Sequence, residues 1–130
     1  MIRTIFLSLL LSIQLFAGGI DWYFVYDEAL EDAKAQNKKI LVFMTQPGCG
    51  TCNYMKENVF TQAEIKGHIE KHFIPLELTA YHKDIPEHLR GRATPVFHFL
   101  DGAGKSIHPK LIGGKTAPAF LKLLQEVSGK

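Results

Sequence analysis

The stretch ILVFMTQPGCGTC, residues 40–52, decides how this chain is read. Ile40 to Met44 are continuously apolar and too few for a helix. They predict a strand buried on both faces, the habit of a central strand in an α/β sheet. Gln46, Pro47 and Gly48 then turn the chain. From Cys49 onward, CGTCNYMKENVF places Cys52, Met55 and Val59 on one helical face. Both cysteines therefore lie where a buried strand ends and a helix begins.

A cysteine pair at this spacing has three ordinary uses: a staple, half of a metal site, or a redox centre. The staple falls first. Cross-linking residues three apart closes a tiny loop, and loop-closure stabilisation grows with loop length. A chain of 130 residues can also bury roughly two-thirds of its surface unaided. Zinc takes four ligands, usually as two close pairs. Only two cysteines exist, so His68 and His72, spaced i, i+4, would have to complete the set, and a polar helix face accounts for them better. His98, inside VFHFL, reads as a satisfied core or sheet-face histidine. Haem attachment would need a histidine where Asn53 stands.

The redox reading fits the position. The thiolate is the nucleophile, and unpaired backbone N–H groups and the dipole at a helix start stabilise negative charge. Cys49 is predicted to be the exposed, acidified, attacking sulfur, with Gly48 and Gly50 keeping its surroundings open. Cys52, one turn on, should lie beneath it and resolve a mixed disulfide.

Outward from this centre, the chain alternates helices and strands. DWYFVYDEALEDAKAQNKK spaces Trp22, Tyr26, Ala29, Leu30 and Ala33 as a helix face, acidic first and basic last. Thr61 to Glu64, TQAE, is a capping-box pattern opening a second helix with Ile65 and Ile69 inward, ending near His72. FIPLELT predicts a second strand, DIPEHLRGR a short helix, and VFHFL a third strand with Phe97 and Phe99 on one face. Asp101 to Gly104 turn the chain into KSIHPKLIG, whose Pro109 cannot donate to a ladder and belongs on an edge. Gly113 and Gly114 end that strand. Thr116 opens a last helix with Phe120, Leu121, Leu124 and Val127 toward the core. Strands that alternate with helices imply parallel pairing, and the final hairpin makes the sheet mixed.

Composition sets the wider frame. Apolar residues make up 46% and charged residues 22%, with a net charge of +2, an ordinary globular balance. The charges are interleaved, which leaves no electrostatic footprint for nucleic acid. The opening MIRTIFLSLLLSIQLFAGGI has Arg3, an apolar run from Ile5 to Phe16 and small residues at Ala17 to Gly19. That is the pattern of a secretory signal over residues 1–17, with one domain over residues 18–130. The apolar run is short for a spanning helix. Export matters because thiols outside the cytoplasm are oxidised unless something keeps them reduced.

With these residues in place, the chain resembles the thioredoxin superfamily, and its exported members in particular. It is similar in pattern to the C-terminal reductase domain of the bacterial membrane disulfide transporter. Three features carry the resemblance: the buried strand running into CGTC, the Thr94-Pro95 before VFHFL, and the IGG before the last helix. They span about Trp22 to Val127. The resemblance implies a thioredoxin fold, a central mixed sheet with helices on both faces. It also implies a cis Thr94–Pro95 bond facing the redox pair, which would expose Thr94's backbone to an extended substrate. Gly48, Gly50, Thr51, Thr94, Pro95 and Gly113 or Gly114 would then line the substrate groove. The chain departs from thioredoxin itself at two positions. Gly48 stands where an aromatic precedes the first cysteine, and Phe43 stands where a buried acid helps deprotonate the second. Glu77 on the next strand is a candidate replacement, though it equally reads as a solvated strand end.

The expected function is an exported thiol–disulfide oxidoreductase acting on secreted or periplasmic proteins, with no cofactor or resident metal. It would be a monomer supplied with electrons from a membrane donor. Cys-x-x-Cys proteins span about 150 mV in potential, or about 7 kcal/mol for two electrons. Gly50-Thr51 contains no histidine of the kind that stabilises the thiolate in strong oxidants, which favours a reductant or exchange catalyst. A copper or zinc carrier using the same thiolates is one alternative; no methionine cluster near Cys49 supports it. A non-catalytic binding module that kept the fold is another, and the intact Cys-x-x-Cys and Thr-Pro oppose it.

Overall fold

Four short runs form one sheet: β1 (Lys39–Thr45), β2 (Phe73–Thr79), β3 (Val96–Leu100) and β4 (Ser106–Ile112), in the order β2-β1-β3-β4. The structure is a computed structural model that describes residues 19–129. The signal expected over residues 1–17 lies outside the described residues. No helix among the described residues is long and apolar enough to cross a membrane.

β1 is central, and Ile40 to Thr45 are all buried. It pairs in parallel with β2, from Lys39 opposite Phe73 to Thr45 opposite Thr79. The connection runs over the sheet through α2 (Gly50–Tyr54) and α3 (Ala63–His72). β1 pairs antiparallel with β3, and β3 with β4. The turn between β3 and β4 is held by the Asp101 carboxylate, which accepts the amides of Ala103 and Lys105, each at 2.9 Å. β4, carrying Pro109, is the edge, as its missing donor requires.

The period of two along each strand builds two cores. Leu41, Phe43, Phe97 and Phe99 face α2, α3 and α4 (Ala117–Ser128). Ile40, Val42, Met44, Val96 and Leu100 face α1 (Tyr26–Gln36) and the segment holding Ile85 and Leu89. An aromatic layer sits under the cysteines. Phe43 stacks on Phe97 with centroids 5.1 Å apart. Phe60 meets Phe43 at 5.1 Å and Phe120 meets Phe97 at 5.0 Å. Burying each such ring contributes about 2–3 kcal/mol from area alone.

Several local expectations are corrected. Trp22 is not on the first helix, which begins at Tyr26. Instead Tyr23 joins the sheet, its N–H bonding Pro75 O and its C=O accepting Glu77 N–H, both at 2.8 Å. Backbone pairing with the open side of β2 wins over helical spacing, and Trp22 then packs on Phe60 at 5.1 Å and Phe43 at 5.6 Å. Thr61 is no N-cap. α3 starts after Gln62, and the Thr61 hydroxyl donates to Glu57 O at 2.9 Å. The reason is a widened turn, Met55–Val59, that continues α2 and closes with Phe60 N–H on Met55 O at 2.9 Å. Its loose carbonyls draw in the threonine. The short helix in DIPEHLRGR is one turn, Glu87–Leu89. Thr116 does occupy the N-cap position of α4, but its side chain makes no capping bond. His98 is buried on the sheet at 5% exposure. Burial, first, and then the charges of Lys110 and His88 push its pKa down from 6.5 to about 4.

Candidate functional site

Cys49 and Cys52 form a disulfide with Cα atoms 5.2 Å apart. Cys49 is the N-cap of α2, with an extended backbone (φ −80°, ψ 103°). Its sulfur takes the place a serine or aspartate oxygen fills at other helix starts, accepting the Cys52 N–H at 3.1 Å. Its carbonyl accepts Asn53 N–H at 3.1 Å. Cys49 is half-buried, while Cys52 beneath it is 2% exposed and packs in the aromatic core with Phe43. The approach to Cys49 is a turn whose Gly48 has φ +77°, a backbone that favours glycine. Gly50, the first helical residue, is exposed and has open space around its Cα.

The other expected residues gather at the same end of the sheet. Val96 pairs with Met44 near the end of β1, so the buried Pro95 comes level with the strand's exit toward Cys49. The Thr94–Pro95 bond is cis, and Pro95 O accepts the Gly113 N–H at 2.8 Å. Thr94 Oγ1 is buried with no hydrogen-bond partner. Of the glycine pair, Gly113 supplies the positive φ, +90°, in open space. Gly114 makes the close approach. A Cβ placed there would lie 2.8 Å from Thr51 Cγ2 and 3.3 Å from Met55 Sδ. The doublet announced a break in the sequence but could not say which glycine touches the redox segment.

Beneath the cysteines, Phe43 holds the sheet position directly below and no carboxylate lies there on β1. Glu77, opposite Phe43 in register, is not a solvated strand end. Its carboxylate pairs with Lys56 Nζ at 2.7 Å and accepts the Thr45 hydroxyl at 3.4 Å, with 15% of the side chain exposed. The Lys56 ammonium also lies 5.9 Å from the centre of the Phe43 ring. No spacing rule links residues 56 and 77; the register sets Glu77 beside Phe43, on the sheet face that the Met55–Val59 turn covers. Elsewhere, His68 bonds the Ser128 hydroxyl at 2.9 Å and its ring sits 4.5 Å from that of His72. Among the described residues no three His, Cys, Asp or Glu side chains gather as a metal-ligand group.

Chemically, the centre is a dithiol–disulfide couple: one sulfur within reach of solvent at a helix start, one sealed below. Comparison with known proteins agrees. No curated protein matches the sequence. Among solved structures, a thioredoxin from Thermus thermophilus is similar at 27% identity and TM-score 0.69, over 85% of this chain and 88% of that one. The periplasmic thioredoxin SoxS from Paracoccus pantotrophus shares the fold at 20% identity and TM-score 0.57, covering 71% and 97%. The C-terminal domain of Neisseria meningitidis DsbD does so at 18% identity and TM-score 0.59, covering 77% and 90%. The family model for the thioredoxin-like domain matches residues 26–128, and the chain belongs to that family.

Proposed function

We propose that this protein is an exported thiol–disulfide oxidoreductase that reduces or exchanges disulfides in extracytoplasmic proteins. The observation that carries the reading is the Cys49 sulfur seated on the first turn of α2 with Cys52 sealed beneath it. In the reduced form the Cys49 thiolate, held by the helix start, attacks one sulfur of a substrate disulfide. That S–S bond breaks, a mixed disulfide forms, and the first substrate sulfur leaves as a thiolate and takes a proton. Cys52 then gives up its proton and attacks Cys49 Sγ. The second substrate sulfur leaves, and the Cys49–Cys52 bond re-forms. Two electrons and two protons from a donor reset the pair, and for an exported protein a membrane reductant is the natural supply.

Gly48, Gly50, Thr51, Thr94, Pro95 and Gly113 are assigned to the substrate groove. Gly113 bonds Pro95, and Gly114 rests on Thr51, so the segments that carry these residues meet around the cysteines. Export rests on the Arg3-led apolar run over residues 1–17 and on the likeness to a periplasmic thioredoxin. The test is reduction of insulin by the mature chain with dithiothreitol as donor, beside Cys49→Ser. Wild-type turnover that the variant lacks supports the reading; equal rates would remove it.

A further inference from the structure

The large apolar side chains exposed among the described residues are unevenly placed. Phe24, Val25, Tyr54, Tyr81 and Ile112 all sit at the end of the sheet that carries the cysteines; Ile107 alone does not. Tyr54 and Ile112 flank the groove already assigned, since one follows Cys52 and the other pairs with Val96. The rest lie on the other side. Tyr23 pairs in parallel with Leu76, so Phe24 and Val25 run on alongside the last residues of β2. Tyr81 follows β2 directly. Thiol exchange uses none of them.

Tyr81 is the most telling. It is 66% exposed and has φ +70°, a left-handed backbone that an aromatic residue adopts only under strain. Its hydroxyl donates to Arg92 O at 3.2 Å, bridging toward the segment that enters Thr94. Beside it is an open cavity of about 550 Å³ with Met44 and Ile85 on its floor and Lys83 and Arg92 at its rim. A smaller hollow of about 160 Å³, edged by Phe24, Val25 and Leu78 and by the carboxylates of Asp27 and Asp84, shares His82 and Ile85 with it. The two make one trough. Arg90 spends its guanidinium on the carbonyls of Ile85 and Lys83, and Asp84 lies 3.6 Å from the His82 ring. The positive charge is therefore confined to the larger hollow, where Lys83 and Arg92 stand, and the acidic groups Asp27 and Asp84 border the smaller one.

We infer that this trough is a second docking surface, for an extended, unfolded stretch of substrate polypeptide with apolar residues and an acidic side chain on one side of its disulfide-bonded cysteine. Exposed apolar surface of this kind marks interaction sites. The apolar floor asks for side chains that a small thiol does not carry, and the cationic rim asks for a carboxylate. The inference rests on the oxidoreductase reading and names its substrate class.

Two disulfide-bearing peptides test it, one with Leu, Phe and Glu flanking the cysteine and one with Ser, Gly and Lys, beside a small aromatic disulfide. Asn tolerates a left-handed backbone, so Phe24→Ser/Tyr81→Asn removes the rings without adding strain. That variant should raise KM for the apolar acidic peptide about ten-fold while leaving kcat and the small disulfide unchanged. Lys83→Glu/Arg92→Glu should reverse the preference between the two peptides. Equal losses on peptide and small disulfide, or an unchanged KM, would overturn the trough. Binding of the serine-substituted peptide to Cys49→Ser, followed by fluorescence anisotropy, tests docking without turnover. A wild type that binds this peptide yet reduces nothing would sink the thiol chemistry and spare the surface.

Discussion

The amide of Cys52 points at the sulfur of Cys49 across 3.1 Å, so the first turn of α2 places a hydrogen-bond donor on the atom that must carry charge. Reduced protein should therefore alkylate at Cys49 well before Cys52, and at pH values where free cysteine is sluggish. Timed iodoacetamide labelling with peptide mapping reads this directly. Cys52→Ser should keep fast labelling and trap a mixed disulfide with substrate. Labelling of Cys49 no faster than free cysteine would contradict the helix-start argument.

Gly114→Ala should cost about 1–3 kcal/mol, because its methyl would enter space held by Thr51 Cγ2 and Met55 Sδ. Thr51→Ser deletes the nearer of those atoms. The double variant should recover most of the loss in urea unfolding. Additive losses would show that the contact is not the cause.

His98 makes stability depend on pH. Its folded pKa lies near 4 and its unfolded value near 6.5. Between these the unfolded chain binds the extra proton, so stability is full above about pH 6.5 and falls as pH drops toward 4. The loss is on the order of 2–3 kcal/mol. His98→Phe should flatten that part of the profile in urea melts at pH 7.5 and 4.5. A wild-type profile no steeper than the variant's would refute it.

Lys56 and Glu77 should be coupled. A partly shielded pair that also holds Thr45 warrants a coupling of about 1 kcal/mol in the cycle Lys56→Met, Glu77→Gln. Each single change should destabilise more than a typical surface substitution, and salt should weaken the coupling only slightly. A coupling near zero would make the pair incidental.

The fold was legible because its strands are short apolar runs with few alternatives. Ile40–Met44 and VFHFL can be little else once Gly and Pro bound them, and the Asp101–Gly104 turn forces the hairpin. The redox pair was legible because it stands at the junction of strand and helix. What escaped depended on partners distant in sequence. Trp22 and Tyr23 look helical until the open side of β2 offers backbone groups. TQAE looks like a cap until the widened turn ahead of it takes Thr61. Glu77 looks solvated until the register turns it to the face where Lys56 packs over the sheet. Tyr81's backbone angle has no signature in composition or period.

The widened turn at Met55–Val59 limits how this redox segment can be moved between proteins. An α-helix rotates about 100° per residue, and the extra residue held in this turn sets the direction from which Val59 and Phe60 enter the core. If a cassette were cut at Tyr54, a host helix of regular pitch would bring its own residues at positions 59 and 60 in more than a quarter-turn away from the sulfurs' floor. A working transplant has to carry the segment through Phe60.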